Sequence, residues 1–110
     1  MEPVAEPSLI EALDRLWKQF LPQIEERVAT LEAANIALAE GRLSMDQRAA
    51  ANSAVHKLAG VLGTFGLTKG TILAREAEIL YSGEPETDPA SAARLTDIAD
   101  QLKALVAGKK

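Results

Sequence analysis

The chain has one histidine, His56, within residues 54–67, A-V-H-K-L-A-G-V-L-G-T-F-G-L. A neutral imidazole is a nucleophile near neutral pH, with a reference pKa of about 6.5. One ring nitrogen can attack while the other gives its proton to an oriented carboxylate. Glycines follow at Gly60, Gly63 and Gly66, inside what otherwise reads as a helix. Each interior glycine costs roughly 1 kcal/mol relative to alanine, so their presence beside the imidazole calls for a reason.

Successive helical residues advance by about 100°. With His56 as the zero direction, Phe65, Leu58, Ala51, Leu62 and Val55 fall between about 180° and 260°, a coherent apolar stripe facing away from the imidazole. The neighbours of His56 on the outer face are Ala49, Asn52, Ser53, Ala59, Gly60 and Gly63, all small. A solvated helix face ordinarily carries glutamates and lysines there. The pattern predicts an imidazole on a flat platform, with Asn52, Ser53, Ala59, Gly60 and Gly63 forming the surface that meets a partner. Gly60 and Gly63 lie on the His56 side, so clearance for a docked protein suits them better than the approach of a neighbouring helix.

Other chemistries fit less well. No second histidine and no cysteine exists to complete a metal site. Hydrolysis by a triad needs a positioned hydroxyl and a concave pocket, which a platform does not offer. An exposed imidazole that accepts a group from a docked partner is the reading that remains.

The elements that must hold this platform are helical. Ser8 with Glu11 forms a capping signature, and Leu9, Leu13, Leu16, Trp17, Phe20, Ile24, Val28, Leu31 and Leu38 recur at spacings of three and four. Pro22 interrupts that face without changing its phase, which predicts a kink or short break near residues 20–22. Gly41 is the expected stop. Ser44 with Gln47 opens a second helix over residues 45–65, ended by Gly66. Thr68 is the expected cap of a third, over 69–82, with Leu73, Ala77 and Leu80 inward. After the turn cluster at 82–85, Asp88 and Pro89 start a last helix to about residue 107, with Leu95, Ile98, Leu102 and Leu105 inward and Gly108 closing it. No stretch alternates with period two. The fold class expected is all-α, an antiparallel four-helix bundle with an extra N-terminal helical segment kinked near Pro22. Residues 1–7, with two prolines, read as a disordered lead-in, and residues 8–108 as one domain.

Composition narrows the partners. At 110 residues, 47% hydrophobic and 4% aromatic, the chain supports one core, aliphatic and rich in alanine. A net charge of −4 without a basic stripe argues against nucleic acid. No apolar run approaches the ~20 residues of a membrane span, and the acidic N-terminus lacks the apolar core of a secretory signal. A soluble cytoplasmic domain is expected.

The run V-H-K-L-A-G-V-L-G-T-F-G-L resembles the phosphoacceptor motif of histidine-containing phosphotransfer (HPt) domains, four-helix bundles that relay a phosphoryl group between histidine kinases and receiver-domain aspartates. Residues 63–67, G-T-F-G-L, look particularly like the phosphoacceptor domain of chemotaxis kinases. The specific match covers about residues 56–80, and the helix order agrees across most of the chain. The resemblance implies that His56 is phosphorylated on Nε2 and that Gly60, one turn on, leaves room for the partner's active site. It also implies that Glu78 takes the Nδ1 proton; helical phase alone leaves Glu76 and Glu78 open. The family commonly has lysine three residues after the histidine, where this chain has Ala59. Lys57, with Lys69 behind it, is the cation nearest to hand for the phosphoryl group.

The resemblance further implies a response-regulator receiver domain or sensor histidine kinase as partner, a monomeric carrier, and no intrinsic cofactor, the Mg²⁺ belonging to the receiver. No P-loop or kinase glycine loop is present, so the chain is expected to be a carrier in two-component signalling without autokinase activity. Two rival readings stand beside this one. The chain could be a helical docking or dimerisation module whose histidine is never phosphorylated, or the substrate domain of a chemotaxis-type kinase.

Overall fold

A computed structural model describes residues 5–82 and 89–109. These residues form four helices and no strand: α1 (Ala5–Ala39), α2 (Met45–Thr64), α3 (Thr68–Ser82) and α4 (Pro89–Lys109). Each helix packs against its neighbours in sequence, and α4 closes the ring on α1, so α1 lies diagonal to α3 and α2 to α4. This is the all-α four-helix bundle expected.

α1 is one helix of 35 residues with Pro22 inside it. Of a kink or a short break at that proline, the break does not occur. Pro22 is exposed, so water can take the carbonyl that the missing N–H leaves unpaired. The helix begins at Ala5, three residues ahead of the expected Ser8 cap. Residues 1–4 of the lead-in, the turn after Ser82 and the Asp88 cap lie outside the described residues.

The ends of α1 and α2 show why local sequence marks them well. Gly41 and Gly66 both adopt positive φ, 71° and 76°. In each case the amide one residue further reaches back into the last turn, Arg42 to the Ala37 carbonyl and Leu67 to the Leu62 carbonyl, both at 2.9 Å. Ser44 and Gln47 make the reciprocal capping box at the start of α2. α3 starts at Thr68 itself, and α4 continues through Gly108 to Lys109, each slightly longer than periodicity predicts.

At about 1.5 Å per residue, α1 is roughly 52 Å long against roughly 30 Å for α2, so its N-terminal turns run beyond the bundle. The core begins at Trp17, and Ile24, Leu31, Leu58, Leu62, Leu95, Ile98 and Leu102 are its large buried members. Leu9, Leu13, Leu16 and Phe20, which share the apolar phase of α1, are exposed instead. Buried alanines, among them Ala34, Ala51, Ala59, Ala74, Ala77 and Ala99, let the helices approach closely. One polar chain crosses the diagonal: the Tyr81 hydroxyl donates to Asn35 Oδ1 at 2.6 Å, and Asn35 Nδ2 donates to the Leu95 carbonyl at 3.0 Å. Burial there pushes the Tyr81 phenol up to about 12.

Candidate functional site

The α2–α3 pair carries the site. Gly70 sets its spacing: a Cβ built there would stand 2.9 Å from Leu62 Cδ1, and Leu62 is fully buried. Any larger residue at this position would require the buried Leu62 side chain to shift. Thr71 Oγ1 then donates to the Ala59 carbonyl at 2.9 Å, and Asn52 Nδ2 donates to the Glu78 carbonyl at 3.0 Å. These bonds fix an antiparallel register between the helices.

That register brings His56 and Glu78 together. The Nδ1 of His56 lies 2.8 Å from Glu78 Oε2, with 69% of the imidazole side chain exposed and 27% of the carboxylate side chain. A carboxylate only accepts, so the bond places a proton on Nδ1, and in the neutral ring Nε2 then carries the lone pair. Nε2 has no hydrogen-bond partner among the described residues. Glu76, which helical phase alone could not separate from Glu78, faces α4 instead. It accepts two bonds from Arg94, at 2.6 and 2.7 Å, and the guanidinium holds its carboxyl below the usual carboxylate range.

The platform differs from its expected form in two places. Ala59 is only 2% exposed and belongs to the core, so it is not part of a partner-facing surface. The reason is that α2 sits between α1 and α3, which widens its buried arc beyond the stripe that periodicity outlines. Gly63 is exposed, yet a Cβ there would meet Thr71 Oγ1 at 3.2 Å, so it also serves the approach of α3. Ser53 and Gly60 are exposed and Asn52 half-buried; around Gly60 a Cβ would meet nothing within 4 Å. Lys57 and Lys69 are exposed, without a hydrogen bond or ion pair among the described residues.

Sequence reasoning missed Thr71 and Gly70, which seat α3, and Arg75, which lies between Thr71 and Glu78 on the same stripe. The four- and three-residue spacing of Thr71, Arg75 and Glu78 was a usable signal, once the α2–α3 register is known.

Two shallow hollows of about 300 and 240 Å³ lie between α1 and α4, and His56 lines neither. Among the described residues no group of three or more histidines, cysteines, aspartates or glutamates is arranged to hold a metal. No described helix is long and apolar enough to cross a membrane. An exposed imidazole oriented by a carboxylate is able to attack a group brought by another molecule.

Comparison with known proteins bears on what that group is. The family model described as Hpt domain matches residues 15–107. Protein RcaC of Microchaete diplosiphon is 31% identical over 91 residues, covering 83% of this chain and 14% of RcaC. The chain therefore spans about one-seventh of the length of that curated relative. No solved structure matches.

Proposed function

This chain belongs to the Hpt domain family, whose members perform histidine phosphotransfer in two-component signalling, and on that premise we propose that His56 accepts a phosphoryl group and exchanges it with the aspartate of a receiver domain. The observation that carries this reading is the 2.8 Å contact between Nδ1 and Glu78, which leaves an exposed Nε2 as nucleophile.

In the forward step the Nε2 lone pair attacks phosphorus in line with the acyl-phosphate oxygen. The N–P bond forms, the P–O bond breaks, and its electron pair stays on the receiver's carboxylate. The ring gains positive charge, and the Glu78 carboxylate stabilises it while Nδ1 keeps its proton. Return transfer reverses each change. Positioning supplies most of the rate in such an exchange, so little further covalent machinery is required. Gly60, open on its outer side, gives the receiver room.

This reading makes the chain a carrier without kinase activity of its own and without a resident cofactor, the Mg²⁺ being held by the receiver. It takes residues 8–108 as the working unit and a cytoplasmic monomer as its form.

The test is incubation with a phosphorylated receiver, with His56→Gln alongside. Wild type is expected to take up acid-labile phosphate and His56→Gln none. If both bind the receiver and neither is phosphorylated, the relay reading is wrong. That outcome would favour a docking module, a second reading drawn from the exposed apolar face of α1 at Leu9, Ile10, Leu13 and Leu16. Supplying a kinase catalytic module with ATP distinguishes a chemotaxis-type donor.

A further inference from the structure

Phosphoryl transfer gathers negative charge on oxygens that, in this chain, have no obvious cation beside them. Ala59 is buried and uncharged. Lys57 projects about 100° around α2 from His56, on the side away from Ala59 and therefore away from α3. Lys69 is two positions before Thr71, in register with the Gly63 end of the pair, about 10 Å along α2 from His56.

Arg75 is differently situated. Thr71, Arg75 and Glu78 form one stripe of α3, and both ends of that stripe touch α2. Thr71 bonds the Ala59 carbonyl at 2.9 Å, and Glu78 meets His56 at 2.8 Å. Arg75, lying between them on antiparallel helices, must stand alongside the α2 segment from His56 to Gly60. Its side chain is exposed, and among the described residues no carboxylate or carbonyl engages the guanidinium. Arg48, on α2, donates to the Leu80 carbonyl and lies over the Tyr81 ring, and Arg94, on α4, is held by Glu76 and Asp97. Gly60, at the end of that α2 segment, raises no side chain, and a Cβ there would meet nothing within 4 Å, so this residue does not crowd the space beside the imidazole.

We propose that Arg75 is the phosphoryl-binding cation of this domain, taking the part that the buried Ala59 cannot play. The inference rests on the relay reading. As the N–P bond to Nε2 forms and the acyl P–O bond breaks, two phosphoryl oxygens meet the planar fork of the guanidinium, a geometry that arginine matches in pairs of parallel hydrogen bonds. An unpaired guanidinium is ready for this, since no existing ion pair has to open first.

Phosphoramidate, a small phosphoryl donor, loads His56 without any receiver and so isolates the domain's own residues. Wild type, Arg75→Gln, Arg75→Lys and Lys57→Gln are loaded and titrated by ³¹P NMR. Removing a neighbouring cation raises the second ionisation of the phosphoryl group. In Arg75→Gln that rise is expected to be about half a pH unit, the size exposed charge pairs produce, with Arg75→Lys recovering part of it and Lys57→Gln matching wild type. Superimposed curves for wild type and Arg75→Gln overturn the inference and leave the relay reading standing. A shift that appears in Lys57→Gln instead overturns it equally. Failure of wild type to accept phosphoryl from phosphoramidate overturns both. Arg75 is exposed, so circular dichroism of the variants should match wild type.

Discussion

Glu78 and Glu76 stand two residues apart on α3, yet one meets an exposed imidazole on α2 and the other a guanidinium on α4. Two helical positions separate the carboxylates by about 200°, so the same residue type serves opposite edges of one helix. On the α4 edge the partner is permanently charged, and the carboxyl is held low by it. On the α2 edge the partner is an imidazole, and a bond formed at its other nitrogen adds positive charge to the ring that the carboxylate meets. The α4 edge is therefore a fastening, and the α2 edge holds its electrostatic gain in reserve for a chemical step.

The comparison is most easily broken at Glu78. Glu78→Ala should slow phosphoryl transfer by about 10- to 100-fold, the loss of one charge-assisted hydrogen bond, while thermal unfolding shows little change. An equal loss in Glu76→Ala, read in the same transfer assay, would remove the distinction between the edges. Next in size is Gly70→Ala. Its Cβ must push the buried Leu62, at a cost of about 1–3 kcal/mol, and denaturant unfolding would show it. A variant as stable as wild type would mean that α2 and α3 tolerate a wider spacing.

Gly60→Ala sharpens the contrast in the other direction. The added methyl meets no neighbour, so the helix should gain roughly 0.5–1 kcal/mol. Loading by phosphoramidate should be unchanged and transfer from a receiver slowed, since only the receiver needs that space. The smallest effect belongs to Glu76→Gln, whose ion pair is half exposed and screened; the melting temperature should fall by roughly 2–4 °C. Because folding lowers the pKa of Glu76, its contribution is present above the ordinary carboxylate value and is lost as pH falls through the lowered one. Acid titration of stability should therefore lose that component in Glu76→Gln.

What could be read from sequence divides along the same line. The Ser44–Gln47 box and the glycine stops at Gly41 and Gly66 are short-range devices, settled by residues within a turn of each other, and they were legible. The outward direction of His56 was legible too, from the phase of one helix. Which glutamate faces it could not be read from phase, because phase within α3 says nothing about the register of α3 on α2; the family resemblance was what pointed to Glu78. Ala59 went astray for a related reason: a single helix's periodicity finds the centre of its buried arc, whereas the width depends on both neighbours. Arg75 was overlooked because its place is defined only by Thr71 and Glu78 each finding a partner across the groove. At Pro22, where a kink or a short break was expected, the exposed proline does not break α1.

Trp17 is the chain's only tryptophan and only 3% exposed, with its ring edge-on to Phe65 at 5.3 Å and the Lys109 ammonium 5.3 Å from the ring centre. It thus makes the domain its own optical gauge. Phe65 lies nine residues past His56, about 13 Å along α2, too far for a phosphoryl group to touch the indole. Emission should report the closing of the bundle's far end during folding and stay silent on loading of the imidazole. Any change of colour on phosphorylation would then be the signature of a movement carried down α2.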